Sequence, residues 1–300
     1  MMAAMQTNSL RGTLRLNEPM SRHTSWRVGG PAQRFYAPAD LDDLAEFLRQ
    51  LDPAEPLMWL GLGSNVLVRD GGIKGTVIAT LGALSKIERR TDGTIRAEAG
   101  VTCAKVAKFC AQQQSTGAEF FAGIPGTMGG ALAMNAGAFG GETWPLVARV
   151  ETIDRHGVVR TRGPEDFRVA YRHVQGVTGE WFVAAHLRLA SDESGASRQR
   201  IKELLDKRNR SQPVNMPSCG SVFRNPTGDH AGRLIEASGL KGVCIGGACV
   251  SDKHANFIVN TGAATARDVE ALIKQIQRVV HDKHGVMLIP EVHIIGEDAP

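Results

Sequence analysis

A chain of 300 residues, 42% hydrophobic and 22% charged, has the composition of a globular protein long enough for two or three domains with real cores. Its formal net charge of +4 comes from interspersed Lys and Arg; with no long basic run and 5% aromatic residues, nucleic acid is excluded as an expected partner, while a modest positive field suits an anionic small molecule. No apolar run reaches bilayer length, the opening MMAAMQTNSLRG has no apolar signal segment, and Cys103, Cys110, Cys219, Cys244 and Cys249 form no CxxC pair and no metal-ligand spacing, so a reduced, cytoplasmic chain with no metal and no membrane partner is expected.

In chain order, Gly29, Gly30 and Pro31 mark a turn within RHTSWRVGGPA, and Asp40 is placed to N-cap a helix carrying Leu41, Leu44, Ala45 and Leu48. A strand at Met58–Leu60 enters the loop GLGSN (Gly61 to Asn65), and Val66 to Val68 resume as strand. A dinucleotide fingerprint of the Rossmann type fails here, because Val66 stands where a third glycine is needed and no helix opens. Glycines between two strands either present N–H groups to phosphate or form a tight turn with no ligand. Strands follow at Gly75–Thr80 and Ile95–Ala99, then a helix from about Thr102 to Gln114 whose buried stripe is Cys103, Val106, Ala107 and Cys110.

The densest glycine segment, GIPGTMGGALAMNAGAFGGE (Gly123 to Glu142), has too many glycines for a stable ordinary helix and too many apolar residues for a flexible linker. Either the backbone wraps closely around a ligand, or the glycines let chain pack on chain. Strands on either side of Arg155-His156-Gly157 read as a hairpin, and DFRVAYR follows, where Arg172 beside Tyr171 is a surface cation or a carboxylate or phosphate clamp. A charged helix from Ile201 to Arg210, stopped by Pro213 and Pro217, marks a domain boundary near Ser211.

Beyond that boundary, PSCGSVFRNP (Pro217 to Pro226) sets Ser221 behind Gly220, where a tight turn exposes the hydroxyl. The segment lacks the GxSxG context of an esterase nucleophile, so Ser221 is read as a proton donor or as an ordinary turn serine. A short helix opens near His230, and Thr265 with Asp268 forms a capping box for an amphipathic helix ended by Gly285. The final strand, Val286 to Ile295, holds Glu291 inside an apolar run, where a carboxylate is costly unless paired, protonated or facing a polar site.

Laid out in order, HTSWRVGGPA, GLGSNVLV, GIPGTMGGALAMNAGAFG, YR, PSCGSVFRNP, HAGRLIEASGLKG, KHANFIVN and the final PEV resemble the UDP-N-acetylenolpyruvoylglucosamine reductase (UDP-N-acetylmuramate dehydrogenase) family, through nearly the whole chain and in the shorter subclass that lacks an extra tyrosine loop. The resemblance implies an α+β fold: a two-subdomain FAD-binding region of the vanillyl-alcohol-oxidase (PCMH) type plus a C-terminal α+β substrate-binding domain. The corresponding division is an N-terminal extension over 1–21, FAD-binding subdomains at about 22–84 and 85–210, and a substrate domain over 211–300 whose last strand returns to the active site.

The implied activity is NADPH-dependent reduction of UDP-N-acetylglucosamine enolpyruvate to UDP-N-acetylmuramate in peptidoglycan precursor synthesis, through non-covalent FAD, with hydride from flavin N5 to C3 and a proton to C2. By resemblance, FAD lies along Gly61, Gly63, Ser64 and Asn65 and along Gly123, Ile124, Pro125, Gly126, Thr127, Gly129, Gly130, Ala136 and Gly137. Arg172 matches the arginine that holds the substrate carboxylate, Ser221 the proton donor and Glu291 the glutamate that shares developing charge. Tyr171 and Asn225 match substrate contacts, Trp26 stands where phenylalanine is commoner, and Arg224 where lysine is frequent. The rival reading on the same flavin fold is a sugar or alcohol oxidase, which needs no acid at Ser221.

Overall fold

The computed structural model describes residues 10–299. Its elements run β1 Thr13–Pro19, β2 Pro31–Ala37, α1 Leu41–Gln50, β3 Leu57–Leu60, β4 Val66–Val68, β5 Ile73–Ala79, β6 Ile87–Arg89, β7 Ile95–Glu98, α2 Cys103–Gln112, α3 Met128–Met134, β8 Val147–Asp154 and β9 Val159–Arg162. They continue with β10 Arg168–Ala170, β11 His173–Gln175, β12 Glu180–Leu187, α4 Ser197–Ser211, α5 Ala231–Ala237, β13 Cys244–Ile245, β14 Ala248–Val250, β15 Ile258–Asn260, α6 Ala266–His284 and β16 His293–Ile295, linked by two-residue pairings and 3-10 turns. The chain divides into two units: one of Met1–Arg15, Arg34–Leu62 and Gly75–Asp206, the other of Leu16–Gln33, Gly63–Lys74 and Lys207–Pro300.

In the first unit, a five-stranded antiparallel sheet runs in the order β9-β8-β12-β7-β6. Helix α2 starts where expected, the Thr102 hydroxyl accepting from the N–H of Lys105, and its stripe of Cys103, Val106, Ala107 and Cys110 packs with Ile95, Ala97, Val150 and Leu187 in one core. Asp40 caps α1 as expected, and Leu44, Phe47 and Leu48 join Tyr36, Ile78, Ile153 and Val183 in a second core. Each such buried side chain contributes about 1.5–3 kcal/mol.

The glycine-rich segment departs from expectation, because α3 forms within it. Gly129 sits where a Cβ would lie 2.9 Å from the Cβ of Ala99, so the helix depends on glycine for its approach, and burial of Met128, Ala131 and Leu132 overrides the poor propensity.

In the second unit, α6 opens with the Thr265–Asp268 capping box, ends at Gly285 in the left-handed conformation (φ 67°), and buries Val269, Leu272, Ile273, Ile276 and Val280 in a core with Trp26, Leu67, Phe223 and Leu234. The final strand is shorter than expected, only His293–Ile295, parallel to β4. Pro290 has no N–H to donate, and Glu291 lies outside the strand, its N–H donating to the carbonyl of Val222. The expectation of a fully reduced chain also fails: Cys244 and Cys249 face each other across the β13–β14 hairpin and are disulfide-bonded, while Cys103, Cys110 and Cys219 are free and buried. Only the register of the two-residue turn brings that pair together.

The five-stranded sheet carries a charged network. Arg96 donates twice to Glu151, from Nε at 2.8 Å and Nη2 at 2.7 Å, Arg96 Nη1 reaches Glu98 at 3.2 Å, and His186 Nε2 lies 2.7 Å from Glu151. Burial works against the Glu151 charge, but the Arg96 and His186 bonds outweigh it and hold the carboxyl down at about 2. A carboxyl depressed by folding contributes stability that is complete above its unfolded value and is lost as pH falls through its folded value. Stability is therefore expected to decline between about pH 5 and pH 2, by an amount on the order of 2–3 kcal/mol from this group. Urea midpoints across that window check it: Glu151→Gln should be less stable at neutral pH and show a shallower decline, and an unchanged slope would remove Glu151 from the acid response.

Candidate active site

Arg172 belongs to the first unit, where it follows β10 at a positive φ of 53°. Its guanidinium donates to the carbonyls of Gly137 (Nη2, 2.8 Å) and Asn135 (Nη1, 3.2 Å), so the fork is anchored to the glycine-rich segment. The exposed Tyr171 ring lies under it, 5.2 Å from Cζ to the ring centroid. A Cβ at Gly137 would meet Gly141 O at 2.3 Å and Arg172 Nη1 at 3.3 Å, which ties that glycine to the arginine's position.

Asn135 is the residue that sequence reasoning missed here. It terminates α3 in the left-handed conformation, donates from Nδ2 to Glu142 and to the carbonyl of Ala170, and accepts from the N–H of Trp144. It therefore joins the glycine-rich segment to the strand before Arg172. The signal was an asparagine placed among glycines after a helical run, a common left-handed cap.

The same unit encloses a cavity of about 290 Å³ with aromatic walls from Trp59, Phe167, Trp181 and Phe182 and a rim that includes Gly61, Gly129 and Gly130. At Gly61 a Cβ would lie 2.3 Å from Thr127 Oγ1, whereas at Gly130 nothing lies nearer than 3.8 Å. Thr127 Oγ1 is buried with no partner in the protein, a costly state for a hydroxyl unless a bound group supplies one. Aromatic walls, a glycine rim and an orphan hydroxyl fit a flavin dinucleotide. Within the second loop the N–H groups of Ile124, Gly126, Met128 and Gly129 already donate to protein carbonyls. Gly123 gives room to Phe139, whose Cε2 would be 2.3 Å from a Cβ there. Ala136 accepts at its carbonyl from Thr143.

Ser221 belongs to the second unit. Gly220 has φ 71° with open space around it, so the backbone turn, rather than crowding, calls for glycine. Asn256 then fixes the following residues: its carbonyl accepts from Val222 N, its side-chain oxygen from Phe223 N, and its Nδ2 donates to Phe223 O at 2.8 Å. Ser221 and Asn225 line a cavity of about 370 Å³ with His230, Arg233, Lys253 and His254. Asn225 accepts from the N–H of Ala231, and His254 accepts through Nδ1 from the N–H of Asn256, which leaves its proton on Nε2. Burial, the larger cause, holds the His254 imidazole below its ordinary value, so it lines the cavity as a neutral donor.

Glu291 is stitched beside this turn: its N–H bonds Val222 O, the carbonyl next to Ser221, and its own carbonyl accepts from Asn65 Nδ2 at 3.1 Å. Ser221, Asn225, Asn65 and Glu291 thus gather within one unit. Gly63, at φ 66°, lets the loop pass His23, whose carbonyl would be 2.0 Å from a Cβ. Ser64 has no contact that adds to its reading. Cys219, two residues before Ser221, turns the other way: its thiol is buried against the carbonyls of Val66 and Gly63, and burial pushes it up to about 12. It cannot compete with Ser221 as a donor.

Comparison with known proteins joins these observations. Residues 32–162 match the profile of an FAD binding domain, and residues 212–295 that of the UDP-N-acetylenolpyruvoylglucosamine reductase C-terminal domain. The chain is 62% identical over 297 residues to the UDP-N-acetylenolpyruvoylglucosamine reductase of Alkalilimnicola ehrlichii, covering 99% of both chains. The chain belongs to the UDP-N-acetylenolpyruvoylglucosamine reductase family. The Methylococcus capsulatus enzyme of that name is also 62% identical, over 98% of this chain and 97% of its own. Among solved structures, the UDP-N-acetylenolpyruvylglucosamine reductase of Thermus caldophilus superposes with a TM-score of 0.81 at 30% identity, covering 95% of this chain and 99% of that one. The α+β fold, an FAD-binding domain followed by the reductase family's C-terminal domain, is the one expected.

FAD is the cofactor of this reductase family, and its flavin absorbance tests whether the glycine rim borders it. Gly61→Ala, which drives a methyl group against Thr127, is expected to weaken FAD retention by about tenfold or more, a cost of roughly 1.4 kcal/mol. Flavin absorbance remaining after gel filtration checks this, and full retention would show that Gly61 borders no cofactor.

Proposed function

We propose that the chain reduces UDP-N-acetylglucosamine enolpyruvate to UDP-N-acetylmuramate, the reaction of its reductase family in peptidoglycan precursor synthesis, with NADPH as electron source. Bound FAD supplies the hydride, and the protein supplies position, charge and a proton. The observation that carries the reading is the Ser221 turn, a hydroxyl set by Gly220 and by the Asn256 bonds at a polar cavity, with the neighbouring thiol facing the core.

Reduction of an enolpyruvyl group at C3 builds negative charge next to its carboxylate, and that charge must be offset before C2 is protonated. Arg172 has this role: a planar guanidinium held by two carbonyls loses little freedom when a carboxylate arrives. Ser221 gives the proton to C2, where a weak acid in the right place suffices because the charged carbon is strongly basic. Glu291 shares the developing charge, and Asn65 with Val222 fixes its backbone. Tyr171 and Asn225 contact substrate.

The family matches support a division into an FAD-binding region over 22–210 and a substrate domain over 211–300, since they cover 32–162 and 212–295. The connection from Tyr171 to Ser221 is taken up by β11, β12 and α4, which supports the shorter subclass. We place the chain in the cytoplasm with NADPH; among the described residues no helix is long and apolar enough to cross a membrane.

Ser221→Ala is expected to leave reduction of the flavin by NADPH nearly intact while slowing enolpyruvyl reduction by about 10²–10⁴-fold. Anaerobic stopped-flow absorbance separates the two half-reactions, and equal loss of both would assign Ser221 a structural role. Arg172→Lys, which cannot span both carbonyls with a planar fork, should lower kcat/KM by about tenfold to a hundredfold. Steady-state kinetics decides, and unchanged turnover at saturating substrate would remove Arg172 from charge stabilisation.

A further inference from the structure

We propose that Cys244 and Cys249 form a reversible thiol–disulfide exchange site that locks the edge strand β13 onto β14, the strand leading to the Ser221 cavity. The two residues are opposite one another in the antiparallel hairpin, Cys244 two positions before the turn residue Gly246 and Cys249 two positions after Gly247, and joined by a disulfide. Cys244 is exposed and Cys249 half-buried, so a small thiol can reach the bond from solvent. The three other cysteines are buried, and burial pushes each of their thiols up to about 12, so they neither ionise nor meet a reagent at neutral pH. Thiol chemistry on the folded protein is therefore confined to the hairpin.

The hairpin is wired into the rest of its unit. Its turn carbonyl, Gly247 O, accepts from both the N–H and the hydroxyl of Thr261, and Gly246 lies against Asp268 of the α6 capping box. On the other side, β14 continues through Val250, bonded to Val243, and Ser251, bonded to Phe257, into Lys253 and His254 on the cavity wall. β13 is two residues long and lies at the edge of the sheet β13-β14-β15, so few backbone bonds hold it once the sulfur bridge is gone, whereas β14 keeps its pairing with β15.

The exchange balances with glutathione as reductant. One glutathione thiolate attacks Cys244 Sγ, forming a mixed disulfide and releasing the Cys249 thiolate; a second attacks the mixed disulfide, forming oxidised glutathione and releasing the Cys244 thiolate. Both cysteine thiolates then take up protons, so two electrons pass from two glutathiones to the pair. Oxidised glutathione reverses the sequence.

The test equilibrates the flavin-loaded protein in glutathione buffers from fully oxidised to fully reduced, followed by acid quench, alkylation and mass mapping. Two alkyl groups should appear together on the 244–249 segment as the reduced fraction rises, while Cys103, Cys110 and Cys219 label only after unfolding. Hydrogen exchange of the amides of 242–245 should be about tenfold faster in the reduced form. The double variant C244S/C249S, folded as judged by retained flavin absorbance, should exchange at the reduced rate in every buffer. A pair that stays oxidised or stays reduced across the whole series overturns the exchange site. Equal hydrogen exchange in both forms, or a double variant that still responds to glutathione, overturns the lock.

Discussion

Buried backbone polar groups must find partners even where the chain leaves regular structure, and in this protein asparagine side chains meet that constraint at the site. Asn135, Asn256 and Asn260 are 2%, 4% and 6% exposed, and each bonds backbone groups far away in sequence or just across a loop. Asn135 ties the glycine-rich segment to Ala170 and Trp144; Asn256 holds Val222 and Phe223; Asn260 donates to Trp26 O and accepts from Gly262 and Ala264. Asn65 performs the same work at Glu291. An amide can donate and accept at once, so one side chain replaces the two ladder bonds that an irregular segment lacks. The side chains proposed to react are consequently carried on loops whose backbone groups are paired.

Charge is handled by the same economy of pairing. Arg69 donates twice to Glu270, whose carboxyl is held at about 2 by that bond first, and Asp70 accepts from the N–H groups of Ala266 and Arg267 at the start of α6. Asp70 thereby satisfies two of the N–H groups that the start of a helix leaves without intrahelical partners. At the cavity, by contrast, Ser221, Asn225 and a neutral His254 present groups with hydrogen-bonding capacity toward an open volume. Structural charges are closed within the protein, whereas these uncharged groups keep bonding capacity for a substrate.

The helices were legible from sequence because their information is local: the Asp40 and Thr102 caps, the Thr265–Asp268 box and the Gly285 terminator each act over one turn. Ser221 behind Gly220 was legible for the same reason, since the positive φ needs only glycine. Three features were not. Helix α3 forms because Met128, Ala131 and Leu132 are buried and Gly129 fits against Ala99, the apolar run around Glu291 is interrupted because Pro290 bridges to Phe223 and the Glu291 N–H bonds the Val222 carbonyl, and Cys244 meets Cys249 through hairpin register.

The order of motifs along the chain thus determined the family and its FAD cofactor and nominated the cofactor loops and reacting residues, because each is written in short runs whose chemistry depends on residue type and spacing. What only tertiary structure decided is how those residues are held: that Arg172 is anchored to the Asn135 and Gly137 carbonyls, that Cys219 faces the core while Ser221 faces the cavity, and that Asn256 fixes the turn between them. The physical reason is that these arrangements satisfy buried donors and acceptors contributed by segments tens of residues apart, and such a pairing exists only after the segments have packed.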